Sequence, residues 1–536
     1  MPGSSRGTIL FNPVSVVHYR NVSRFAGVLD GWKIRKIVNP AMPWFSKART
    51  DGDDLRFEGG LLPRKAFDGI SAVVVFSAQP RTASASLITD ATVKGIPVIA
   101  VEEVLQMMLE QGYVNEYFLP VDRLYAGSSY EKKGFTDFGI PEESVEAAGN
   151  IFGNVDARDI SAEKKEGVRS GLGIAPGRKV AVLSLAYQTP SGETLKIRRS
   201  LIEIVYRGLP EDYTLIVKPH PAEQDAAVRD FVKGCAPSAV TADRFTPIGD
   251  ILAIADVLFN RGNSQVIIDA FNRKVPVIVV PAGRKTFFHG RLDALIADDE
   301  HAVKRALGLI CREGFGIYDA VTSLYAGPSA DDALRKAASG INEAASSRFI
   351  FERSQRLSDL AVYWAWMGYP SRATGVLREC GCVEYLPALT RLIGSKATYQ
   401  DFEELRNGWA TRNYRMWLLK SMKIRQAYFS GERLDDNQVK WLADYPPRMN
   451  REYFVDFACM LCRNLFDSGR VKESGELFDK IKEEYGYLKF TQRLESALGR
   501  GKAGWDFILW KICAVDGLKR AARDMLLNIR TAVRNI

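Results

Sequence analysis

Hydrophobic and polar positions divide the 536-residue chain into two kinds of pattern. As far as about Arg312, short apolar runs without alternation are separated by amphipathic stretches, as parallel strands and crossover helices would be. Thr8–Phe11 is one run, Ala72–Phe76 the clearest and Pro97–Val101 a third; Ser84–Lys94 reads as a helix stopped by Gly95. The pattern restarts after Asn154. Strands are expected at Lys179–Leu185, Tyr213–Lys218, Asp256–Phe259 and Val275–Val280. Helices are expected at Thr194–Arg207, Glu223–Lys233, Ile248–Ala255 and Ser264–Asn272. Runs that are apolar throughout are what a sheet covered on both faces requires. The expectation is an α/β chain with two doubly wound domains in series, residues 1–154 and 155–353.

From about Ser354 the strand pattern gives way to helical spacing. Leu357–Met367 and Tyr369–Arg378 flank Gly368, and Val455–Phe466 and Lys472–Lys482 flank a turn at Ser468–Val471. The second unit resembles a tetratricopeptide hairpin, without a regular repeat array, so residues 354–536 are expected to form a basic, all-α helical-repeat domain.

Composition adds compartment and charge. With 46% hydrophobic and 26% charged residues the chain is an ordinary globular one. No apolar run reaches the roughly 18 residues of a membrane helix, and the Met1–Gly7 start lacks the features of a signal peptide. Seven scattered cysteines suggest thiols in a reducing compartment, hence a cytoplasmic location. Residues 361–536 hold 29 Lys and Arg against 21 Asp and Glu, so nearly all of the net charge of +9 lies there. No zinc-finger spacing or basic-aromatic signature marks a nucleic-acid reader, so none is expected as a partner.

Several tempting motifs fail. Gly171–Gly177 precedes a strand and misplaces its third glycine, so it cannot cradle a dinucleotide. No P-loop is present, and Asp51-Gly-Asp53 lacks the strand that a metal-binding acidic triplet needs. Cys459 and Cys462 fall within an amphipathic helix, where thiols serve as small apolar groups, so no metal site is expected.

Four histidines remain. His301 reads as a surface residue, whereas His18, His220 and His289 stand near expected strand ends, where an open α/β sheet places its ligand crevice. His220 carries the strongest signal. A buried strand runs into Lys218-Pro219-His220-Pro221, and the prolines fix the imidazole at the carboxyl edge, where it can donate to a phosphate or move a proton. The second signal is Asn260-Arg261-Gly262-Asn263-Ser264, a polar turn with a helix expected to start at Asn263 or Ser264. Free amides there, with Arg261, would hold an anion, and Asp269 just over one turn on would either reach a ribose hydroxyl or lie at the domain seam. Supporting cations are Lys196, Arg198, Arg199, Arg244, Arg284 and Lys285. In the first domain His18, placed in the loop before a helix at Val22–Leu29, ranks ahead of Glu102 as the base for an acceptor.

The Lys-Pro-His-Pro strand end, the Asn/Ser turn with its acidic-Ala pair, Pro276-Val-Ile and the Gly149–Asn154 turn together resemble the GT-B superfamily. The nearest likeness is to bacterial capsule-polysaccharide transferases and CDP-glycerol glycerophosphotransferases. It covers about Thr8–Arg312. The resemblance implies two Rossmann-like domains, acceptor side first and donor side second. It also implies a metal-independent transferase that moves a sugar or alditol phosphate from a nucleotide-activated donor to a polysaccharide or lipid-linked acceptor, with no cofactor beyond that substrate. Donor phosphates would meet His220, Arg261 and Ser264, with Lys218, Arg244, Asn260, Asn263 and Arg284 nearby. Asp269 stands in the place of the family's usual ribose-binding Glu, and Lys274 in the place of a helix-ending Gly.

Two other readings stand beside it. A sugar-nucleotide 2-epimerase shares the fold, although the first strand here continues into Asn12-Pro-Val-Ser in place of that family's Gly-Thr-Arg-Pro-Glu element. A catalytically degenerate scaffold would use the helical repeats to bind a protein partner. The segment Trp505–Ile536, with six Lys and Arg against three acids, reads either as a solenoid cap or as a peripheral contact with anionic lipid at the inner face of the membrane.

Overall fold

The computed structural model describes residues 6–38, 54–56, 64–76, 82–102, 119–137, 140–152, 160–186, 195–221, 223, 225–262, 264–281, 286–325, 327–346, 353–366, 370–379, 381–387, 390, 435, 461–462, 464–466 and 468–485. Two parallel sheets follow one another in the chain. The first contains β1 (Thr8–Asn12), β2 (Lys33–Val38), β3 (Leu55–Arg56), β4 (Ile70–Val75), β5 (Val98–Val101), β6 (Arg123–Ala126) and β7 (Val145–Ala147), in the order β3-β2-β1-β4-β5-β6-β7. The second contains β8 (Lys179–Ser184), β9 (Tyr213–Lys218), β10 (Val240–Thr241), β11 (Val257–Asn260) and β12 (Val277–Val279), in the order β10-β9-β8-β11-β12.

Both orders run outward from their first strand in one direction and then reverse. Because crossovers are right-handed, reversal sends later helices to the opposite face and opens a crevice at the carboxyl ends of the two strands that flank the switch. Those strands are β1 and β4 in the first sheet, and β8 and β11 in the second. The α/β, doubly wound expectation holds for both sheets.

Helix Val16–Ala26 (α1) starts earlier than the expected Val22 because Ser15 caps it, its hydroxyl accepting the His18 amide at 3.2 Å. Strands β2, β6, β7 and β10 carry charged or mixed sequences, so no apolar run marks them.

Packing does not follow the order of the chain. Helix Ala330–Ser346 lies within the range expected for the second domain, yet Ala333, Leu334, Ala337, Ala338, Ile341 and Ala344 join Ile9, Phe11, Phe25, Val74 and Tyr125 in the first core. A Cβ on Gly340 would come within 1.6 Å of the Tyr125 hydroxyl, so the helix lies against β6 only because this position has no side chain. Trp32 Nε1 donates to Asn342 Oδ1 at 2.9 Å and ties the rim.

Helices Arg353–Trp366 and Pro370–Glu379, expected to open the third domain, dock on Thr82–Val93 (α2) of the first. Arg356, 1% exposed, donates to Asp122 and, at 3.0 Å, to Thr92 Oγ1, while Asp122 Oδ2 accepts the Val98 amide at 2.7 Å. Burial lowers the Arg356 pKa and the Asp122 charge opposes that shift. Trp364 Nε1 donates to Thr89 Oγ1 at 3.0 Å. Further on, Gly469, at φ +81°, turns the chain into helix Val471–Tyr485, and Ser474 Oγ donates to the Cys462 carbonyl at 2.8 Å. Most of 391–460 and all of 486–536, including the basic Trp505–Ile536 segment, lie outside the described residues.

Candidate functional site

The crevice of the second sheet is built by polar residues at consecutive strand ends. Asn260 closes β11 at 3% exposure; its Oδ1 accepts the Gly262 amide at 2.8 Å, and its Nδ2 reaches Ser184 Oγ at 3.4 Å across the switch between β11 and β8. Gly262 has φ +89°, and a Cβ there would sit 2.8 Å from Thr286 Cβ, so the turn requires glycine. Arg261, within the turn, is 5% exposed, and Asp269, in the helix that follows, is 7% exposed.

The expectation of free amides at the following helix needs correction. The helix runs Val266–Asn272, two residues later and shorter than expected. Its first donors are already used: Val266 N–H by Ser264 Oγ at 3.4 Å, Ile267 N–H by the Ser264 carbonyl at 3.0 Å and Ile268 N–H by the Gln265 carbonyl at 2.9 Å. Charge for an anion would therefore come from side chains, Arg261 foremost, and not from an open helix end.

At the end of β9 Lys218, expected as a phosphate contact, makes structural bonds. Its ammonium, on a residue 6% exposed, donates to the carbonyls of Pro219 at 3.1 Å and Arg244 at 2.6 Å. The cation thereby fixes the turn that presents His220, which is half-buried and whose carbonyl accepts the Glu223 amide at 3.0 Å. Arg244 is likewise engaged, donating to the Glu223 carbonyl and stacking on Phe245 at 4.5 Å. Beneath them Arg198 grips Glu223 through two bonds of 2.8 and 2.6 Å and also donates to the Ala186 carbonyl at 2.9 Å. Arg198, expected among the cleft cations, is a buried strut, and Glu223 was missed; its only sequence signal is an acid three places after the histidine of a proline-bracketed turn. Lys196 and Arg199 are exposed on helix Leu195–Gly208, and Arg199 covers Phe231. Asn263, Arg284 and Lys285 lie outside the described residues. His301 is exposed, as expected.

The first crevice is lined by rings. His18 sits in the first turn of α1, not in the expected loop, and is 4% exposed. Its imidazole stacks on Phe76 at 4.8 Å and 15° and leans on Phe152 at 5.4 Å. Nδ1 accepts the Val14 amide at 3.3 Å, so in the neutral ring Nε2 carries the proton. Glu102, one residue beyond β5 and 3% exposed, donates its amide to the Tyr125 carbonyl at 3.0 Å.

The domains meet beside the second crevice. Tyr130 packs against Phe287 at 6.2 Å and Tyr325 at 6.0 Å, and Arg291 donates to the Tyr130 hydroxyl at 3.0 Å. Among the described residues no group of three or more His, Cys, Asp or Glu could hold a metal ion, the cysteines are free thiols, and no helix is long and apolar enough to cross a membrane.

No family model matches the chain, and no curated protein matches it. Solved structures do. The wall teichoic acid polymerase TagF is similar at 14% identity and a TM-score of 0.45, over 63% of this chain and 89% of that one. A putative UDP-N-acetylglucosamine 2-epimerase from Listeria monocytogenes is similar at 12% identity and a TM-score of 0.44, over 61% and 93%. UDP-GlcNAc 2-epimerase from Neisseria meningitidis, bound to UDP-GlcNAc, gives 12% and 0.42, over 63% and 98%.

Proposed function

We propose that the chain is a metal-independent GT-B-type transferase that moves a sugar or alditol phosphate from a nucleotide-activated donor to an envelope polysaccharide or related acceptor. The observation that carries this reading is the second crevice. His220 and the Asn260–Gly262 turn stand at the carboxyl ends of β9 and β11, on either side of β8, and Asn260 spans the switch point to Ser184. Ligands of open α/β sheets bind at that place. Arg261 would neutralise the departing nucleotide phosphate, His220 would donate to it, and Asp269 would take the ribose. Lys218, Arg244 and the Arg198–Glu223 pair would hold the His220 turn in place.

The acceptor would enter by the first crevice. Because Nε2 carries the proton, His18 acts there as a base only after Nδ1 gives up the Val14 amide, so Glu102 is kept as the carboxylate alternative. A panel of CDP-, UDP-, GDP- and CMP-linked donors, read by thermal shift and then by release of free nucleotide, tests the reading. Binding with release only when an acceptor is added supports a transferase. Release without an acceptor points to the epimerase class, and stabilisation by no donor overturns the proposal. Arg261→Ala should weaken the stabilising nucleotide by about tenfold or more, as loss of a charged hydrogen bond would. Unchanged affinity would remove Arg261 from the site.

A further inference from the structure

His289 has no part in the assignments above, yet it is held with care. Thr286 donates its amide to His289 Nδ1 at 2.8 Å, and its hydroxyl oxygen lies 3.0 Å from the same atom. The His289 amide returns to the Thr286 carbonyl at 3.0 Å and closes the turn. Phe287 and Phe288, both fully buried, anchor the segment, and Gly290 N–H donates to Asp293 Oδ1 at 2.8 Å. Thr286 is itself the residue that presses on Gly262, so the His289 turn and the Asn260–Gly262 turn are in contact beyond the ends of β11 and β12.

An amide N–H can only donate, so Nδ1 is the acceptor and the proton of the neutral ring lies on Nε2. Among the described residues that N–H has no hydrogen-bond partner, and the half-buried ring leaves it within reach of solvent. A rigidly mounted donor beside the glycine turn, open to solvent and without a partner among the described residues, can exchange water for an oxygen brought by a ligand.

We propose that His289 Nε2–H is a further binding contact of the donor site and donates to a diphosphate oxygen of a nucleoside diphosphate or its ester. The inference rests on the transferase reading of the same crevice. Two variants separate ligand contact from turn stability. In His289→Asn the amide oxygen still accepts from Thr286 but nothing reaches the Nε2 position. In His289→Gln the amide nitrogen reaches that position but the Thr286 bond is lost.

Calorimetric titration of the full chain with CDP and with UDP is the experiment, with melting temperature as the check on folding. The expected result is wild-type binding of one of them, about tenfold or more weaker in His289→Asn and partly restored in His289→Gln, with His289→Asn melting like the wild type. Wild-type affinity in His289→Asn, or a greater loss in His289→Gln than in His289→Asn, would make the histidine a structural element of the turn and overturn the inference alone. No saturable binding of either probe by the wild type would overturn it together with the donor-site reading.

Discussion

The two crevices share a topology and little else. Each opens where strand order reverses, between β1 and β4 in one sheet and β8 and β11 in the other. In the first, a histidine lies between Phe76 and Phe152, and Phe11 and Phe25 continue the ring cluster behind Phe76. In the second, a buried Arg–Glu pair, a lysine bonded to carbonyls, the Asn260–Gly262 turn and two histidines occupy the equivalent place. The fold supplies a position and leaves the chemistry to the side chains there. An aromatic wall gives packing and excludes water; a charged frame gives fixed dipoles and cations. The proposed division into an acceptor side and a donor side would require a contrast of this kind.

The sharpest way to break the contrast is to remove the frame of the second crevice. Arg198 and Glu223 are 3% and 6% exposed at the side chain, so Glu223→Ala leaves a buried guanidinium without its counter-charge. The expected loss is about 3–5 kcal/mol, read from the denaturant midpoint. Arg198→Met with Glu223→Leu should recover most of that stability, since apolar pairs of similar volume replace buried ion pairs well, while nucleotide binding stays impaired. Recovery of binding along with stability would show that the pair does not shape the His220 turn.

His220→Ala comes next. It should lower donor turnover by about 100-fold, as loss of one donor to departing charge does, and leave the denaturation midpoint near that of the wild type. The half-buried ring is not part of a core. Wild-type turnover would remove His220 from the reaction.

Phe76→Leu makes the corresponding test in the first crevice, with a smaller effect. It removes the stack on His18 and the ring contacts at 5.8 Å to Phe152 and 6.1 Å to Phe11, worth about 1 kcal/mol. Nucleotide affinity should not change. A matching loss of nucleotide affinity would mean that both crevices serve one ligand and that the contrast between them is false.

What could be read from the sequence follows from where the information lies. The strand Tyr213–Lys218 matches its expected bounds because five apolar or β-branched residues run into Lys218-Pro219, a wholly local signal. The start of α1 was not legible, since Val16 and Val17 favour strands locally and only Ser15 marks the cap. Lys218 and Arg198 looked like ligand cations because their counter-groups, two backbone carbonyls and a glutamate 25 places away, become neighbours only on folding. Helix Ala330–Ser346 carries its small-residue face openly, but nothing local says which sheet it covers. The docking of Arg356 on Asp122, 234 residues apart, is hidden for the same reason.

The smallest expected effect sits at the end of helix Val266–Asn272, which carries Asp269, the proposed ribose contact. Lys274 has φ +56°, and no other non-glycine residue among those described has a positive φ. Its amide donates to the Phe271 carbonyl at 3.0 Å and the Val275 amide to the Ala270 carbonyl at 2.9 Å, the bond pair of a Schellman end with Lys274 where glycine is usual. A side chain in the left-handed region costs about 1–2 kcal/mol, and glycine would return about half of that through the freedom it gains in the unfolded chain. Lys274→Gly should therefore stabilise the protein by about 0.5 kcal/mol, visible as a small rise in the denaturant midpoint. Because the lysine side chain is exposed, nucleotide affinity should stay the same. Strained backbone also collects at functional sites, so the opposite pairing is informative: a rise in stability with a fall in nucleotide affinity would show that the strain at Lys274 sets the position of Asp269. The first crevice has no such position among the described residues, and a strain that proved functional would add backbone to the ways in which the two crevices differ.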